Sequence, residues 1–299
     1  MGTFEDFYSI PRLYDILHAP GTMSDVRVLR RLRRAHVPRH EGPDVWLEPG
    51  CGTGRYLRAA ARLKVRGIGF DSEPKMVAFA RRTARDAGVC QSQTGEGDGG
   101  VRIFAARMED FASGRRLPPV TMAFNLINTI RHLTSDRAMV EHLRSVGGVL
   151  RPGGVYVVGI SLCAYGLESI TEDVWKGSRD GVRVSQVVQY IPPAGARGES
   201  ARNERVISHL TVRTGVGKRV RERHIDSTYA LRGYNLAQWR DVVSRGGLRV
   251  VGVTDGEGVP ATPREPGYYL FILARDGQDP GPAQSARGAR RTRGLRARP

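Results

Sequence analysis

The stretch that decides the fold is Trp46-Leu-Glu-Pro-Gly-Cys-Gly-Thr-Gly-Arg55, in which three glycines occupy every second position after a short apolar run. Glycine lets the chain turn sharply between a strand and a helix, and a ligand can lie against its backbone without a Cβ clash. The spacing is G-x-G-x-G, whereas dinucleotide folds use G-x-G-x-x-G. Glu48 places a carboxylate where a pyrophosphate would lie, and it would repel that group. The loop therefore predicts a nucleoside-like ligand that carries an ammonium group.

Strand-like and helical patterns alternate around this loop. Strands are predicted at 44–49, 66–70, 101–106, 119–127 and 155–161, and helices at 24–37, 55–64, 74–88 and 135–150. A helix at 235–247 and strands at 248–256 and 267–275 complete the pattern. Such alternation predicts an α/β fold: a Rossmann-like, mostly parallel sheet with helices on both faces.

The pattern changes after Ser161, where period-two stretches rich in Val, Ile and Thr begin. They predict an antiparallel β insertion over 165–232, and Thr214-Gly-Val-Gly217 is a hairpin signal within it. The tail 276–299 has Gly, Pro, Ala and Arg but only one large apolar residue, Leu295. That composition predicts a disordered basic tail.

The composition is basic, with 47 Lys and Arg against 30 Asp and Glu and a formal net charge of +17. Such a charge favours anionic partners, although arginines spread over solvated faces explain it as well. Cys51, Cys90 and Cys163 are far apart and form no CxxC pair. This excludes a disulfide framework and a cysteine-rich zinc site, so no metal is predicted. With no apolar run long enough to cross a bilayer and no signal-peptide pattern, we expect a cytoplasmic protein without membrane contact.

A second motif, "GIGFDSEPKM" (67–76), places Asp71 at the end of the next predicted strand. A carboxylate there can accept hydrogen bonds from both hydroxyls of a ribose. Capping of the helix that begins at Pro74 is the structural alternative, and one residue can do both.

These motifs, together with "LRPGGVYVV" (150–158), resemble those of the class I S-adenosylmethionine-dependent methyltransferases. The resemblance implies a seven-stranded sheet in a methyltransferase domain over 1–275, with S-adenosylmethionine as cofactor. It also implies that Glu48 and the glycine loop lie near the methionine part, Asp71 on the ribose and Met76 beside the nucleoside. The cofactor-binding residues expected on this basis are Tyr14, Glu48, Gly50, Cys51, Gly52, Gly54, Asp71, Ser72, Met76, Met108 and Asn125.

One position departs from the family pattern. Members often carry an acidic residue after the third strand that meets the adenine amino group, and here the aligned residue is Arg107. Met108 is expected to line the adenine, with Glu109 or Asp110 taking over the polar contact. A capped loop without a ligand is the alternative.

Three segments bear on the acceptor. In "FNLINTIRHL" (124–133), Asn128 and His132 follow the fourth strand; His132 is the candidate general base, and a structural histidine is the alternative. Tyr14, in "RLYDILHAPG" (12–21), resembles the N-terminal "YD" segment that folds over the cofactor in small-molecule members, and it lies within an N-terminal helical cap at 1–40. Packing of Tyr14 in the core is the alternative. The insertion resembles those that form substrate lids or homodimer contacts in amine- and sugar-modifying members, or else it presents solvated strand faces. Its closing segment offers three candidate substrate contacts, Tyr229, Arg232 and Tyr234.

These features predict a methyltransferase that acts on N or O of a small molecule. Nucleic-acid methylation is the runner-up. Amino-directed DNA methylation is disfavoured because "FNLINTI" lacks the proline pair of those enzymes, whereas RNA methylation stays open. A non-catalytic cofactor-binding protein of the same fold is a further alternative. Aminopropyl transfer would need paired acidic residues where this chain has asparagines.

Overall fold

The computed structural model describes residues 3–4, 6–89, 100–215 and 219–277. Six α-helices lie within these ranges: α1 (Pro11–His18), α2 (Thr22–His36), α3 (Arg55–Ala61), α4 (Pro74–Asp86), α5 (Asp136–Val149) and α6 (Leu236–Arg245). The strands in the same ranges are β1 (Thr3–Phe4), β2 (Val45–Pro49), β3 (Arg66–Asp71), β4 (Gly100–Ala105), β5 (Val120–Asn125), β6 (Leu150–Leu162), β7 (Thr171–Arg179), β8 (Val182–Ile191), β9 (Asn203–Thr214), β10 (Arg221–Arg232), β11 (Leu248–Thr254) and β12 (Gly267–Arg275). Short 3-10 turns form at Phe7–Ser9 and Thr129–His132.

The central sheet has seven strands in the order β11-β12-β6-β5-β2-β3-β4. Strands β2 to β6 pair in parallel, and β12 pairs antiparallel with both β6 and β11. One apolar core lies between this sheet and α5 and α6, and a second core includes residues of α2, α3 and α4. The predicted α/β class and its seven-stranded, mostly parallel sheet are thereby confirmed.

Local sequence signals set most helix ends. Ser135 caps α5, and its hydroxyl accepts a hydrogen bond from the Ala138 N–H at 3.1 Å, as its position before the helix predicts. The expected start of α2 at Ser24 is wrong, because the helix begins at Thr22 after Gly21, whose φ is 81°. The strand predicted at 155–161 also begins earlier than expected, because "RPGG" (151–154) already belongs to β6.

A second sheet of five strands, ordered β1-β10-β9-β8-β7, stands over the first. Strands β7 to β10 form an antiparallel meander within the predicted insertion, and β1 joins its edge in parallel. Leu210 and Ile225 of its inner face pack against Ile16 and Leu17 of α1. The sequence did not indicate β7, whose residues are nearly all exposed. This sheet and α1 enclose the space above the glycine loop.

Several expectations concern residues outside the described ranges. Cys90, Val216 and Gly217 of the hairpin signal, and residues 278–299 of the predicted tail lie there. Within the described ranges, no helix is both long enough and apolar enough to span a membrane.

Candidate active site

The glycine loop connects β2 to α3 at the carboxyl edge of the central sheet. Gly50 and Gly52 adopt φ values of 60° and 51°, in the left-handed region that favours glycine. A Cβ on Gly50 would lie only 2.9 Å from Cγ2 of Thr129, so a larger residue there would displace the turn that follows β5. The backbone N–H of Gly52 donates to Oδ2 of Asp71 at 2.8 Å. The loop and the end of β3 therefore form one hydrogen-bonded unit.

Asp71 is tied to backbone donors through both carboxylate oxygens. Its Oδ1 accepts from the Glu73 N–H at 2.9 Å, and Oδ2 accepts from Gly52. Burial raises the pKa of Asp71, and these two donors oppose the rise. The N-cap of α4 is Glu73 and not Asp71. Each Asp71 oxygen keeps acceptor capacity for a ligand hydroxyl.

Two buried acceptor atoms lie at the base of the loop without a partner in the described chain: Oε2 of Glu48 and Oδ1 of Asn125. Asn125 uses its Nδ2 to donate to the Pro49 carbonyl at 2.8 Å. Burial raises the pKa of Glu48 well above its usual value, and the charge of Arg55 opposes the rise. Buried acceptors are normally paired, so these two atoms call for a donor. They line a small cavity of about 20 Å³ beside Gly50, and an ammonium group would satisfy both.

Arg55, the residue after the third glycine, brings a buried cation to the same place. Its Nη1 donates to the Thr22 hydroxyl at 2.8 Å, and its guanidinium stacks 3.8 Å from the centre of the Tyr56 ring. Tyr56 in turn donates to Asp25 at 2.9 Å. Arg55 was not among the predicted ligands, although it ends the quoted stretch. A cation beside Glu48 suits a ligand that carries both an ammonium and a carboxylate.

Helix α1 covers the loop and is fixed by Asp15, which is buried. Asp15 accepts from Arg58 of α3 at 3.1 Å and from Arg179 of β7 at 2.8 Å. Arg58 also donates to the Thr53 carbonyl of the glycine loop. We call this arrangement the Asp15 clamp. It joins the loop, α1 and the second sheet, and it holds Tyr14 over the site.

The loop after β4 forms the opposite wall. The Arg107 guanidinium pairs with the Glu109 carboxylate at 2.7 Å, and both residues line the main cavity together with Met108. His142 of α5 is hydrogen-bonded to the Met108 carbonyl at 2.9 Å through Nδ1 and to the Tyr156 hydroxyl at 2.8 Å through Nε2. Arg107, at the position where members of the resembled family often have an acidic residue, is thus paired with Glu109. The hydrogen bond of His142 anchors the loop to α5.

The main cavity has a volume of about 1020 Å³ and extends from the glycine loop to the inner face of the second sheet. Within the described ranges, no group of three or more His, Cys, Asp or Glu side chains is arranged to hold a metal ion. The predicted site residues that line this cavity are Tyr14, Gly50, Gly52, Asp71, Ser72, Met108, Asn128, His132 and Tyr229. Glu48, Cys51 and Asn125 line the small cavity, which shares Tyr14, Gly50 and Arg55 with the main one.

Two expected cofactor residues do not line either cavity. Gly54 is the left-handed residue that precedes α3, and a Cβ there would meet Ile103 and Ala80 within 3.3 Å. Met76 lies in α4 and is 1% exposed. Both positions belong to the packing beneath the site.

Two expected substrate contacts, Arg232 and Tyr234, also lie outside both cavities, and their positions do not fit that role. Arg232 is buried and pairs with Asp136 at 3.1 Å. The Tyr234 ring is fully buried, 6.0 Å from Trp239. At the end of β10 the chain passes into the core, which period-two alternation alone does not reveal.

The acceptor side of the cavity is aromatic. His132 is hydrogen-bonded through Nε2 to the Tyr8 hydroxyl at 2.9 Å, and its ring lies 5.4 Å from that of Tyr229. His18 lies 5.5 Å from the Trp175 ring on the same wall. Tyr8, His18 and Trp175 were not among the predicted site residues. The aromatic residues before and within "RLYDILHAPG" (12–21) could have pointed to Tyr8 and His18 as site residues. The sequence of β7 contains no such signal for Trp175.

A buried ion pair anchors the turn that carries His132. The Arg131 guanidinium pairs with Glu204 of β9, and its Nε donates to the Arg232 carbonyl of β10 at 2.7 Å. Both side chains of the pair are buried. The turn after β5 is thereby fixed to the second sheet, on the side opposite the cavity lining.

Part of the chain is similar to a known protein family. Residues 47–154, from the glycine loop to the start of β6, match the family model described as "Methyltransferase domain". This segment is similar to the methyltransferase domains of that family. Its match spans the loop, Asp71, the anchored 107–109 wall and the turn that bears His132.

One curated relative, a dTDP-3-amino-3,6-dideoxy-alpha-D-glucopyranose N,N-dimethyltransferase from Streptomyces fradiae, is 30% identical over 152 residues. The match covers 50% of this chain and 52% of that protein, so the chain matches about half the relative's length.

Solved structures extend the likeness of fold beyond the methyltransferase domain. DesVI from Streptomyces venezuelae superposes with a TM-score of 0.67 at 20% identity, over 91% of this chain and 99% of that one. SAM-bound CalS10, described as an amino pentose methyltransferase from Micromonospora echinaspora, gives 0.60 at 19% identity over 92% and 99%. Residues 47–154 thus match a methyltransferase domain, and the two solved structures share the fold predicted for the chain.

Proposed function

We propose that this protein is an S-adenosylmethionine-dependent methyltransferase that methylates the amino nitrogen of a small, sugar-like molecule. The observation that carries the proposal is the cavity of about 1020 Å³ that joins the glycine loop and Asp71 to the aromatic wall at His132. A donor at the loop and an acceptor at the wall would share one enclosed space. Methyl transfer needs such alignment more than it needs acid–base chemistry.

The residues at the loop fit the cofactor. The unpartnered acceptors of Glu48 and Asn125 suit its ammonium group, and the Arg55 guanidinium suits its carboxylate. The two oxygens of Asp71 suit the ribose hydroxyls, with Met108 beside the base. When bound, S-adenosylmethionine would supply an activated sulfonium methyl group. Tyr14, held by the Asp15 clamp, covers this position and excludes water.

The acceptor wall favours nitrogen over oxygen. Burial, with a contribution from the charge of Arg131, lowers the pKa of His132 to about 4. Such an imidazole is neutral at neutral pH and is a weak base. A hydroxyl acceptor usually needs a strong base, whereas a neutral amine attacks through its own lone pair. His132 therefore lines the acceptor site as a neutral imidazole and is a poorer candidate for the general base than its position in the sequence suggests.

A sugar-like acceptor fits the remaining surface. Tyr8, Tyr229, Tyr190 and Trp175 present aromatic rings around the far end of the cavity, and Gln186 and Asp173 add polar groups. Aromatic rings with a few polar groups are a common lining for small-molecule sites. The S. fradiae relative and CalS10 carry names that specify amino sugars, and we extend that acceptor class to this chain.

The test has two steps. Calorimetry should detect binding of S-adenosylmethionine and S-adenosylhomocysteine, and mass spectrometry should detect methylation of a dTDP-3-amino-3,6-dideoxyhexose or of a free amino sugar. An RNA transcript serves as the alternative acceptor. Cofactor binding without methyl transfer to any amine would favour a non-catalytic cofactor-binding protein. Methyl transfer to RNA alone would show that the acceptor is RNA and not an amino sugar.

The outer face of the second sheet bears on the oligomeric state of the protein. Val174 and Val187 pair across β7 and β8 and, with Ile207 of β9, are exposed on the outer face of the second sheet. We assign that face to a homodimer contact, which sedimentation analysis tests.

Cys51 and Cys163 are free thiols, in keeping with a cytoplasmic protein. The whole of residues 1–275 is proposed as one methyltransferase domain, with 1–40 as its cap.

A further inference from the structure

Strand β7 faces the main cavity with every second residue, and Asp173 is one of them. The Trp175 ring lies 5.5 Å from that of His18 in α1. A Cβ on Gly177 would overlap the Ile16 carbonyl of the same helix, so positions 175 and 177 share the inner face. Asp173 has the same parity and lines the main cavity. Its carboxylate therefore belongs to the acceptor wall.

Gln186 of β8 adds a second polar group to this wall. It pairs with Trp175 across β7 and β8, is 2% exposed and lines the main cavity. Its Nε2 donates to the Ser208 hydroxyl at 2.8 Å, which fixes the amide. The amide oxygen has no hydrogen-bond partner in the described ranges and is not among the enclosed unpartnered atoms, so it is open to the cavity. Buried polar groups are normally paired, and this oxygen calls for a donor from a ligand.

The acceptor end is acidic, although the whole chain has a formal net charge of +17. The N-terminal segment, the turn after β5 and strands β7 to β10 contribute two carboxylates to the described lining, Asp6 and Asp173, and one Lys or Arg, Lys176. Lys176 pairs in register with Ser185, and alternation places it on the opposite face of β7 from Asp173. The excess positive charge of the chain is therefore not directed at this end of the cavity.

Among the described residues, the basic side chains that border this wall, Lys176 apart, are paired with acids or are neutral. The pairs are Arg131 with Glu204, Arg179 with Asp15 and Arg232 with Asp136. Burial lowers the pKa of both His18 and His132 to about 4, so neither imidazole carries a charge at neutral pH. Arginine and lysine are the usual partners of phosphate groups. A diphosphate at this wall would lie beside Asp173 and find its basic neighbours already paired or neutral.

We propose that the acceptor is an amino sugar without a phosphate group, either free or as a glycoside, and that Asp173 and Gln186 bind its hydroxyl groups. This inference rests on the proposed function and narrows its acceptor class. A carboxylate and an amide oxygen both accept hydrogen bonds, so they suit the hydroxyls that a sugar presents opposite its reacting amine. The same carboxylate repels the diphosphate that a nucleotide-linked sugar would bring to the wall. Asp173 thus selects between two forms of one sugar.

The affinities of two acceptors test the inference without methyl transfer. The probes are the methyl glycoside of 3-amino-3,6-dideoxyglucose and the dTDP ester of the same sugar, each titrated by calorimetry into protein saturated with S-adenosylhomocysteine. We expect the glycoside to bind at least about tenfold more tightly, equivalent to about 1.4 kcal/mol. Equal affinities, tighter binding of the dTDP ester, or no binding of the glycoside overturns the inference.

Matched variants assign the effect to single residues. Asp173→Ala should weaken binding of the glycoside about tenfold and bind the dTDP ester no more weakly than the wild type, since it loses an attraction to hydroxyls and a repulsion of phosphate. Glu172→Ala is its control, because that carboxylate accepts from Gln189 at 3.1 Å on the outer face. Gln186→Leu should also weaken binding of the glycoside, with Gln189→Leu as its control. In all four variants the Kd for S-adenosylhomocysteine should stay within about twofold. Wild-type affinity of Asp173→Ala for the glycoside overturns the role of Asp173.

Methyl transfer separates this inference from the proposed function. If neither sugar accepts a methyl group from S-adenosylmethionine, the proposed function fails, and the ratio of the two affinities still decides the inference. If the dTDP ester is methylated with a kcat/KM equal to that of the glycoside or higher, the proposed function stands and the inference fails.

Discussion

The two ends of the cavity are built by different means. At the cofactor end, the ligand-facing atoms are mainly backbone groups and short side chains fixed within one β-α-β segment, such as Gly52 and Asp71. At the acceptor end, the lining comes from side chains that converge from β7, β10, the turn after β5 and the N-terminal segment. A cofactor shared by a whole family can be held by a local motif, whereas a particular acceptor needs contacts assembled from distant segments.

The largest effect at the cofactor end is expected for a substitution of Asp71. Asp71→Ala removes acceptors for two hydroxyls and a hydrogen bond to the loop, and each bond to a charged acceptor is worth about 1.5–3 kcal/mol. We expect the affinity for S-adenosylhomocysteine to fall by about 100-fold or more in calorimetry. Asp86→Ala, at an exposed carboxylate in the last turn of α4, is the control and should bind normally. An Asp71→Ala protein with unimpaired affinity would remove the carboxylate from the cofactor site.

The Asp15 clamp joins the two ends, so its loss should affect both. Asp15→Asn leaves Arg58 and Arg179 without their shared carboxylate, and breaking a buried ion pair costs about 3–5 kcal/mol. Thermal unfolding should report a lower Tm, with weaker binding of cofactor and acceptor alike. Asp241→Asn breaks an exposed helix pair with Arg245 and should change the Tm little. Equal Tm values for the two variants would contradict the clamp.

The clamp also predicts a pH dependence. Burial alone would raise the pKa of Asp15, but the neighbouring Thr53 hydroxyl and its arginine partners Arg179 and Arg58 lower it below the value of about 3.9 in an unfolded chain. A depressed carboxyl pKa stabilises the fold fully above about pH 4, and this contribution is lost as the pH falls through the folded pKa. Unfolding free energies of the wild type and Asp15→Asn should therefore converge in acid. A constant difference down to the acid transition would be inconsistent with this linkage.

Loss of the Arg131–Glu204 ion pair should affect the acceptor end of the cavity and leave the cofactor end unchanged. Glu204→Gln weakens the anchor of the His132 turn but touches nothing at the glycine loop. We expect kcat/KM for the acceptor to fall about tenfold, equivalent to about 1.4 kcal/mol, with an unchanged Kd for the cofactor. Glu222→Gln, which loosens an exposed pair with Arg213 on the same sheet, is the matched control. A parallel loss of cofactor affinity would show that the two ends are not independent.

The smallest effect is expected at Tyr234, which sequence analysis suggested as a substrate contact. Its ring is buried against Trp239, and Phe preserves that packing. Tyr234→Phe should leave kcat and KM within about twofold and stability within about 1 kcal/mol. A large rise in KM would return Tyr234 to the acceptor site.

The same comparison explains what the sequence could predict. The glycine loop, the positions of Asp71 and Met108 beside it, and the alternation of strands and helices are local patterns, in which the residue type and its neighbours determine the structure. The capping of α5 by Ser135 is of the same kind. In each case the information lies within about ten residues of the feature.

The acceptor end could be predicted only in part, for a physical reason. Tyr8 meets His132 across 124 positions of sequence, and no local period encodes such a contact. Strand β7 shows no apolar alternation because it is an exposed edge strand, yet it supplies Trp175 and Arg179. Arg232 and Tyr234 were expected in the site because they follow Tyr229, but the chain enters the core at that point.

The central claim is that one cavity aligns a sulfonium methyl group at the glycine loop with an amine at His132. The most direct measurement follows a labelled methyl group from S-adenosylmethionine to an amino sugar and to its matched hydroxyl analogue. We expect label on the nitrogen of the amino sugar and none on the analogue. Label on the hydroxyl analogue at a comparable rate, or on RNA in place of either sugar, would contradict it.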